Sequence, residues 1–278
     1  MNIVFILIVA ALIHASWNAY VKNRGNGLEK MLVIIWMMAI IVLPFVLIVD
    51  FPSYETFKFI FLGTFAQTFY IISLARAYKN EDFSIAYPFA RGFAPLLTLS
   101  ILVIFFNEKI SSNELIGIIL IFFGILILFN IKQVKINKKN IGLLILFSIS
   151  IVFYTLVDAI GVRTALSAYQ YIVWLFLLTP IPLTTYYFFF IKKKLINKTF
   201  KENKKSLIIA SIGSLTSYSL VLWAYTQAPI YYVASIRESS IIFASLIGLI
   251  FFKEKGLVRR LIAAFVLFAG VIMLELAS

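Results

Sequence analysis

Ten mostly apolar stretches follow one another along this chain, each close to the length that crosses a bilayer. A crossing takes about 20 residues at 1.5 Å rise to cover roughly 30 Å of hydrocarbon, where a helix satisfies its own backbone groups. The stretches run approximately over 3–21, 31–49, 57–77, 84–106, 113–131, 140–160, 168–190, 206–226, 230–252 and 257–276. Connections are short, with no soluble domain between them. The longest, 192–205, is a lysine run that reads as a solvated cytoplasmic loop, with contact to anionic lipid as the alternative. The first stretch has no basic leader and reads as an uncleaved span. The expected fold class is an all-α polytopic membrane protein with ten transmembrane helices.

The charges agree with this. Only 13% of the 278 residues are charged, where a soluble domain carries about a quarter. A formal net charge of +13 would suit nucleic acid, but the Lys and Arg lie mostly between the apolar stretches. The positive-inside rule accounts for them, so the expected partner is the lipid bilayer and not nucleic acid. Loops after odd-numbered stretches carry Lys22, Arg24, Lys30, Lys79, Lys132, Lys135 and the runs at 192–205 and 253–260. Loops after even-numbered stretches offer Lys58, Lys109 and Arg163. The odd loops are therefore expected in the cytoplasm and both termini outside. With no Cys and one His, disulfides, thiolate metal sites and zinc sites are not expected. Nor is there a phosphate-binding glycine loop or a nucleophile–base–acid set, so neither catalysis nor a cofactor is expected.

One stretch recurs. Arg91 to Phe129 overlays Arg237 to Glu275 at a constant offset of 146, without a gap. Arg91 falls on Arg237, Phe105 and Phe106 on Phe251 and Phe252, Glu108 and Lys109 on Glu254 and Lys255, and Gly124 on Gly270. The apolar matches follow from composition, but the Arg, Glu-Lys and Gly matches at one offset read as a doubled gene. The halves are 1–133 and 134–278, with five spans each. Five is odd, so the halves enter the membrane in opposite directions as two inverted five-helix repeats. Secondary transporters use this architecture, with substrate held near the midplane.

Two further motifs are His14-Ala15-Ser16-Trp17-Asn18 followed by Lys22, and Ala86-Tyr87-Pro88-Phe89-Ala90-Arg91-Gly92. With the doubled Glu-Lys turns, the whole chain resembles the drug/metabolite transporter superfamily in its EamA-like branch. The resemblance implies proton- or exchange-driven movement of small organic solutes across the cell membrane. It also implies a central cavity lined by the first, third, fourth, sixth, eighth and ninth spans. The second half has no proline matching Pro88 or Pro95 and no His matching His14, so strictly symmetric gating does not follow.

Ionisable residues inside spans are costly unless paired or wet, so each is a candidate site. Arg91 and Arg237 read as an anion-binding pair, one on each side of the midplane, since guanidinium grips carboxylate or phosphate bidentately. Both have a second reading, in which Arg91 pairs with carbonyls freed near Pro88 and Pro95 and Arg237 is neutralised locally. Glu238 reads as a proton-coupling carboxylate or as a salt bridge to Arg91. It is not an obvious partner for adjacent Arg237, because neighbours on a helix do not face each other. Asp158 reads as a coupling or gating carboxylate in the cavity, or as an interfacial one, with Arg163 as a poorly spaced partner. His14, Trp17 and Asn18 share a helical face and read as cavity lining, with His14 as proton carrier or substrate donor, or as an interhelical contact. Tyr87 and Tyr232, with Tyr154, Tyr218, Trp223 and Tyr225, read as substrate-stacking or packing aromatics. Pro88 is a candidate gate, because proline leaves carbonyls unbonded. The expected function is secondary transport of an anionic or zwitterionic solute, such as an amino acid or a phosphonate-like compound. The alternatives are an exporter of amphiphilic drugs, a lipid-headgroup flippase, or a non-transporting sensor or assembly subunit. Protons or a counter-substrate would drive transport, and the sequence leaves monomer and homodimer both open.

Overall fold

A computed structural model describes residues 2–21, 27–80, 83–128, 141–191, 196–251 and 256–277. Within these, only the backbone is described at 20–21, 78–80, 83–90, 196–198, 202 and 251. Every regular element among the described residues is helical. In chain order they are α1 (Ile3–Val21), α2 (Gly27–Val42), α3 (Tyr54–Asn80), α4 (Phe83–Phe106), α5 (Ser112–Ile127) and α6 (Ile141–Thr164). Then come α7 (Ala168–Leu178), α8 (Pro180–Tyr186), α9 (Ile196–Tyr225), α10 (Ile230–Arg237), α11 (Ser240–Phe251) and α12 (Leu257–Ala277). A 3-10 turn (Leu43–Leu47) extends α2, and a π turn (Tyr187–Ile191) extends α8.

Among the described residues, seven helical segments are long and apolar enough to cross a membrane: Gly27–Leu47, Tyr54–Ala77, Ile141–Thr164, Ala168–Ile191, Asn203–Tyr225, Ile230–Ile250 and Leu257–Ala277. Three more are apolar but shorter, Ile3–Ala19, Arg91–Phe106 and Ser112–Ile127. Of the ten expected spans, seven are thus matched by helices long and apolar enough to cross, and three by shorter apolar helices. α5, at 16 residues, covers about 24 Å, less than the roughly 30 Å of hydrocarbon. Its start is fixed by a capping box: Ser111 Oγ accepts the Glu114 N–H, and Glu114 Oε2 accepts the Ser111 N–H at 2.7 Å.

Two expected boundaries move. The described part of the lysine run, 196–205, forms the first turns of α9, bending at Asn203 (φ −128°) before the apolar part begins. Thr199 holds it down by donating to Glu29 Oε2 at 2.9 Å, while Tyr187 donates to Oε1. The span 230–252 is not one helix but α10 and α11, parted at 238–239.

α5 and α12, the C-terminal arms of the repeated stretch, meet backbone to backbone. A Cβ on Gly270 would lie 2.6 Å from the Gly117 carbonyl oxygen, and one on Gly124 would lie 2.9 Å from Leu267 N. Glycines permit this approach where lipid offers no hydrophobic drive to pair helices. The other contacts come in exchanged pairs. α1 packs on α9 as α6 packs on α3, and α4 on α6 as α11 on α1. Phe61, Phe65, Phe105, Phe123 and Phe265 point outward, as apolar solvent allows.

Candidate functional site

The break between α10 and α11 organises the interior. Glu238, Ser239 and Ser240 stand together in an otherwise apolar span, and serines compete for backbone hydrogen bonds. Here the ladder tightens to three-residue spacing: Glu238 N–H to Ser235 O (3.1 Å), Ser239 N–H to Ile236 O (3.0 Å) and Ile241 N–H to Glu238 O (3.0 Å). Arg237 closes α10 at the negative end of its dipole, and Glu238 precedes α11 at the positive end of the next. Each charge therefore has a favourable helix terminus.

Glu238 receives Arg91 bidentately, from Nε to Oε2 at 2.6 Å and from Nη2 to Oε1 at 3.1 Å. Arg91 Nη2 also lies 3.5 Å from Ser240 Oγ. Both charged side chains are almost wholly buried, with 2% and 1% exposure. Arg237 approaches the same carboxylate, its Nη2 3.6 Å from Oε1. The rule that helical neighbours diverge does not hold here, because the helix ends between them. The two arginines expected on opposite sides of the midplane share one carboxylate, which joins the halves. Arg237 is the less satisfied of the two. Its Nη2 reaches Thr155 Oγ1 at 3.5 Å, its guanidinium lies 5.5 Å from the Tyr154 ring centre, and its Nε is buried without a hydrogen-bond partner.

Asp158 is not interfacial. Its exposure is 0%, and it accepts from Tyr218 (2.6 Å), Gln67 (2.8 Å) and Tyr171 (3.0 Å), which lie on α9, α3 and α7. A Cβ on Gly63 would sit 2.5 Å from Asp158 Oδ1, so glycine is what admits the carboxylate. Arg163 does not pair with it. That side chain donates to the Tyr225 and Ala228 carbonyls at 2.7 Å each, satisfying the end of α9. The turns joining α6 to α7 and α9 to α10 border an open cleft of about 720 Å³, lined by Arg163, Tyr169, Trp223 and Gln227 among others.

His14 meets Trp17 edge to face, 5.3 Å between ring centres, and lies within electrostatic reach of Arg91 and Arg237. Trp17 Nε1 is buried without a partner, and its Cβ packs where a Cβ on Gly213 would approach to 2.9 Å. Asn18 donates its amide to the His14 carbonyl (2.8 Å), so that donor serves its own helix. Tyr232 is not at the cluster through its hydroxyl, which bonds Glu275 Oε2 beside Asn2. Tyr87 and Pro88 lie on α4, but their side chains are outside the described residues. The α4 backbone is one helix through 88 and 95, and the break falls in the span without prolines. Sequence reasoning missed Thr155, Ser240 and Tyr171. Thr155 had a signal, since it stands one turn before Asp158 on α6. Among the described residues, no three acidic or His side chains gather as a metal site.

The sequence pattern of the EamA-like transporter family matches residues 1–130 and again 138–276. The chain belongs to the EamA-like transporter family. This EamA-like protein is therefore a multi-span membrane transporter, and the double match covers both arms of the repeat. No curated protein matches it. One solved structure, described only as "Crystal structure of protein", is similar to this EamA-like chain with a TM-score of 0.76 at 11% identity. It covers 99% of this chain and 97% of its own, and at that identity the likeness is one of fold.

Proposed function

We propose that this EamA-like protein is a secondary transporter of a small anionic or zwitterionic organic solute, working by alternating access across the cell membrane. Its ten crossings form two inverted five-helix repeats, 1–133 and 134–278. The exchanged helix contacts support this: α3 on α6 matches α9 on α1. The substrate class rests on one observation. Arg237 is a buried cation whose Nε has no partner, set against the Tyr154 ring and the Thr155 hydroxyl. An unpaired donor on a buried guanidinium costs free energy that a carboxylate or phosphonate would recover through charge-assisted hydrogen bonds. Nearby Tyr225 OH and Trp17 Nε1 are also buried without partners, and both can donate.

Arg237 is the anchor, with Trp17, His14 and Tyr154 around the solute. Glu238 acts as the internal substitute for substrate: it holds Arg91 and partly neutralises Arg237 while the site is empty. The interlocked rings of Tyr70, Tyr154, Tyr218 and Phe176 favour a second reading, an exporter of aromatic amphiphiles. Reconstituted protein, screened by thermal stabilisation and by exchange of labelled amino acids, phosphonates and organic cations, separates the two. Anions are expected to stabilise and exchange, with exchange lost in Arg237→Ala. Binding of cations alone would overturn the anion reading and favour the exporter.

A further inference from the structure

Asp158 poses a problem that the arginine cluster does not solve. It is a fully buried carboxylate in a membrane protein, and its three hydrogen-bond partners are neutral: Gln67 on α3, Tyr171 on α7 and Tyr218 on α9. Elsewhere in the interior, Glu238 has Arg91 at salt-bridge distance. A buried carboxylate without a cation is costly when ionised, yet three donors aimed at it keep the ionised form viable. Either protonation state can therefore be held, which is what a site that takes up and releases a proton needs. The surroundings set the consequence. The charged and titratable groups within electrostatic reach of this cluster are Arg237 on α10, Tyr225 on α9 and Tyr154 on α6 itself, with Glu238 and Arg91 beyond Arg237. Arg237 lies within electrostatic reach of Asp158.

The two sites also share parts. Thr155, which accepts from Arg237, stands one turn before Asp158 on α6, so one helix face carries both. Tyr218, which donates to Asp158, packs its ring 6.1 Å from Tyr154, the ring that Arg237 faces. An anion at Arg237 and a charge on Asp158 would then repel across one low-dielectric seam.

We propose that Asp158 is the coupling site of the transporter, binding one proton for each anionic solute that binds at Arg237. This rests on the anion reading given above. A proton from the aqueous phase adds to Oδ2 and forms an O–H bond. That hydroxyl donates to the Tyr218 oxygen, and the Tyr218 O–H turns to another acceptor, the solute. The neutral acid no longer repels the anion, so the two load together and leave together, as in symport.

The test uses proteoliposomes of the full chain and the labelled anions of the screen, with methylphosphonate as the defined probe. An inward proton gradient is expected to drive accumulation by the wild type. Asp158→Asn is expected to lose accumulation while keeping exchange of labelled for unlabelled anion. Anion transport indifferent to the gradient would overturn the proton site and leave the anion reading standing. No anion transport at all would overturn the anion reading. An infrared titration of the purified protein without solute then decides Asp158 separately. A carboxylic-acid C=O band appearing on acidification, and absent in Asp158→Asn, supports the site, and no such band overturns it. Should Asp158→Asn fail to fold, Tyr218→Phe removes one of the three donors and must alter the pH at which the band appears. An unchanged titration would refute the role given to Tyr218.

Discussion

Glu238 is the residue on which the buried charges balance. Without it, Arg91 and Arg237 would face each other across an apolar interior. Removing one partner of a buried pair costs about 3–5 kcal/mol, because the orphaned charge remains desolvated. Glu238→Gln is expected to destabilise the protein by about that amount, read as a lowered unfolding midpoint in detergent. Adding Arg91→Met removes the orphan and should restore part of the loss, because a buried pair replaced by apolar groups is often neutral. If the two changes simply add, Arg91 and Glu238 are not energetically coupled. The importance of these residues was legible in the sequence, since ionisable groups are rare in apolar spans. So was one partnership, since a salt bridge from Glu238 to Arg91 is one of the two readings of Glu238, but the sharing of that carboxylate with Arg237 was not. Arg91 and Glu238 stand 147 positions apart, and only the packing of one half on the other brings them together. The contact of Arg237 with Glu238 was hidden for a local reason: it requires the helix to end between them.

At the scale of elements, α10 is a half-span held at both ends. Its C-terminus is the break at 238–239, and near its N-terminus two tyrosines reach carboxylates on the α5–α12 pair. Tyr231 donates to Glu114 Oε1 at 2.6 Å, and Tyr232 donates to Glu275, which Asn2 also approaches at 2.9 Å. Hydrogen bonds to charged groups contribute about 1.5–3 kcal/mol each. The double variant Tyr231→Phe with Tyr232→Phe should therefore loosen α10 while leaving the glycine contact of α5 with α12 intact. Hydrogen exchange of the α10 amides is expected to speed up by about tenfold or more, with α12 unchanged. Equal acceleration in both helices would mean that the tyrosines stabilise the whole protein, not one movable half-span. The sequence pointed to α4 as the broken element, because prolines mark breaks. Instead, four consecutive polar residues, Arg237 to Ser240, break the matching span, a weaker signal that becomes decisive only when Arg91 and Thr155 supply partners. The recurrence of Gly124 at Gly270 was legible, and both lie in the α5–α12 seam.

At the scale of the molecule, the described connections gather on one face. There, Gln170 donates to the Asp50 carbonyl (3.1 Å), Thr56 to Thr164 (2.8 Å) and Arg163 to Ala228 (2.7 Å), joining the connections at 48–53, 165–167 and 226–229. Asn2, Glu275, Glu114 and the start of α10 gather likewise. At the other end, Glu29 at the start of α2 meets Tyr187 and Thr199. The proposed ten crossings require the lysine-poor connections to share one side in this way, and the positive-inside rule leads us to expect that side outside. The three short helices do not defeat it, since a bilayer thins locally around a short span at modest cost. The chain has no cysteine, so single cysteines can report the arrangement directly. Ser53→Cys, Ser167→Cys and Gln227→Cys, all at exposed positions, are expected to react with an impermeant maleimide on intact cells. Lys201→Cys and Lys205→Cys, also exposed, are expected to react only after permeabilisation. Reversal of all five would invert the orientation and keep the fold. Opposite results at Ser53 and Ser167 would break the inversion itself, because residue 53 follows the second crossing and residue 167 the sixth. Only an even number of crossings between them returns the chain to the same side.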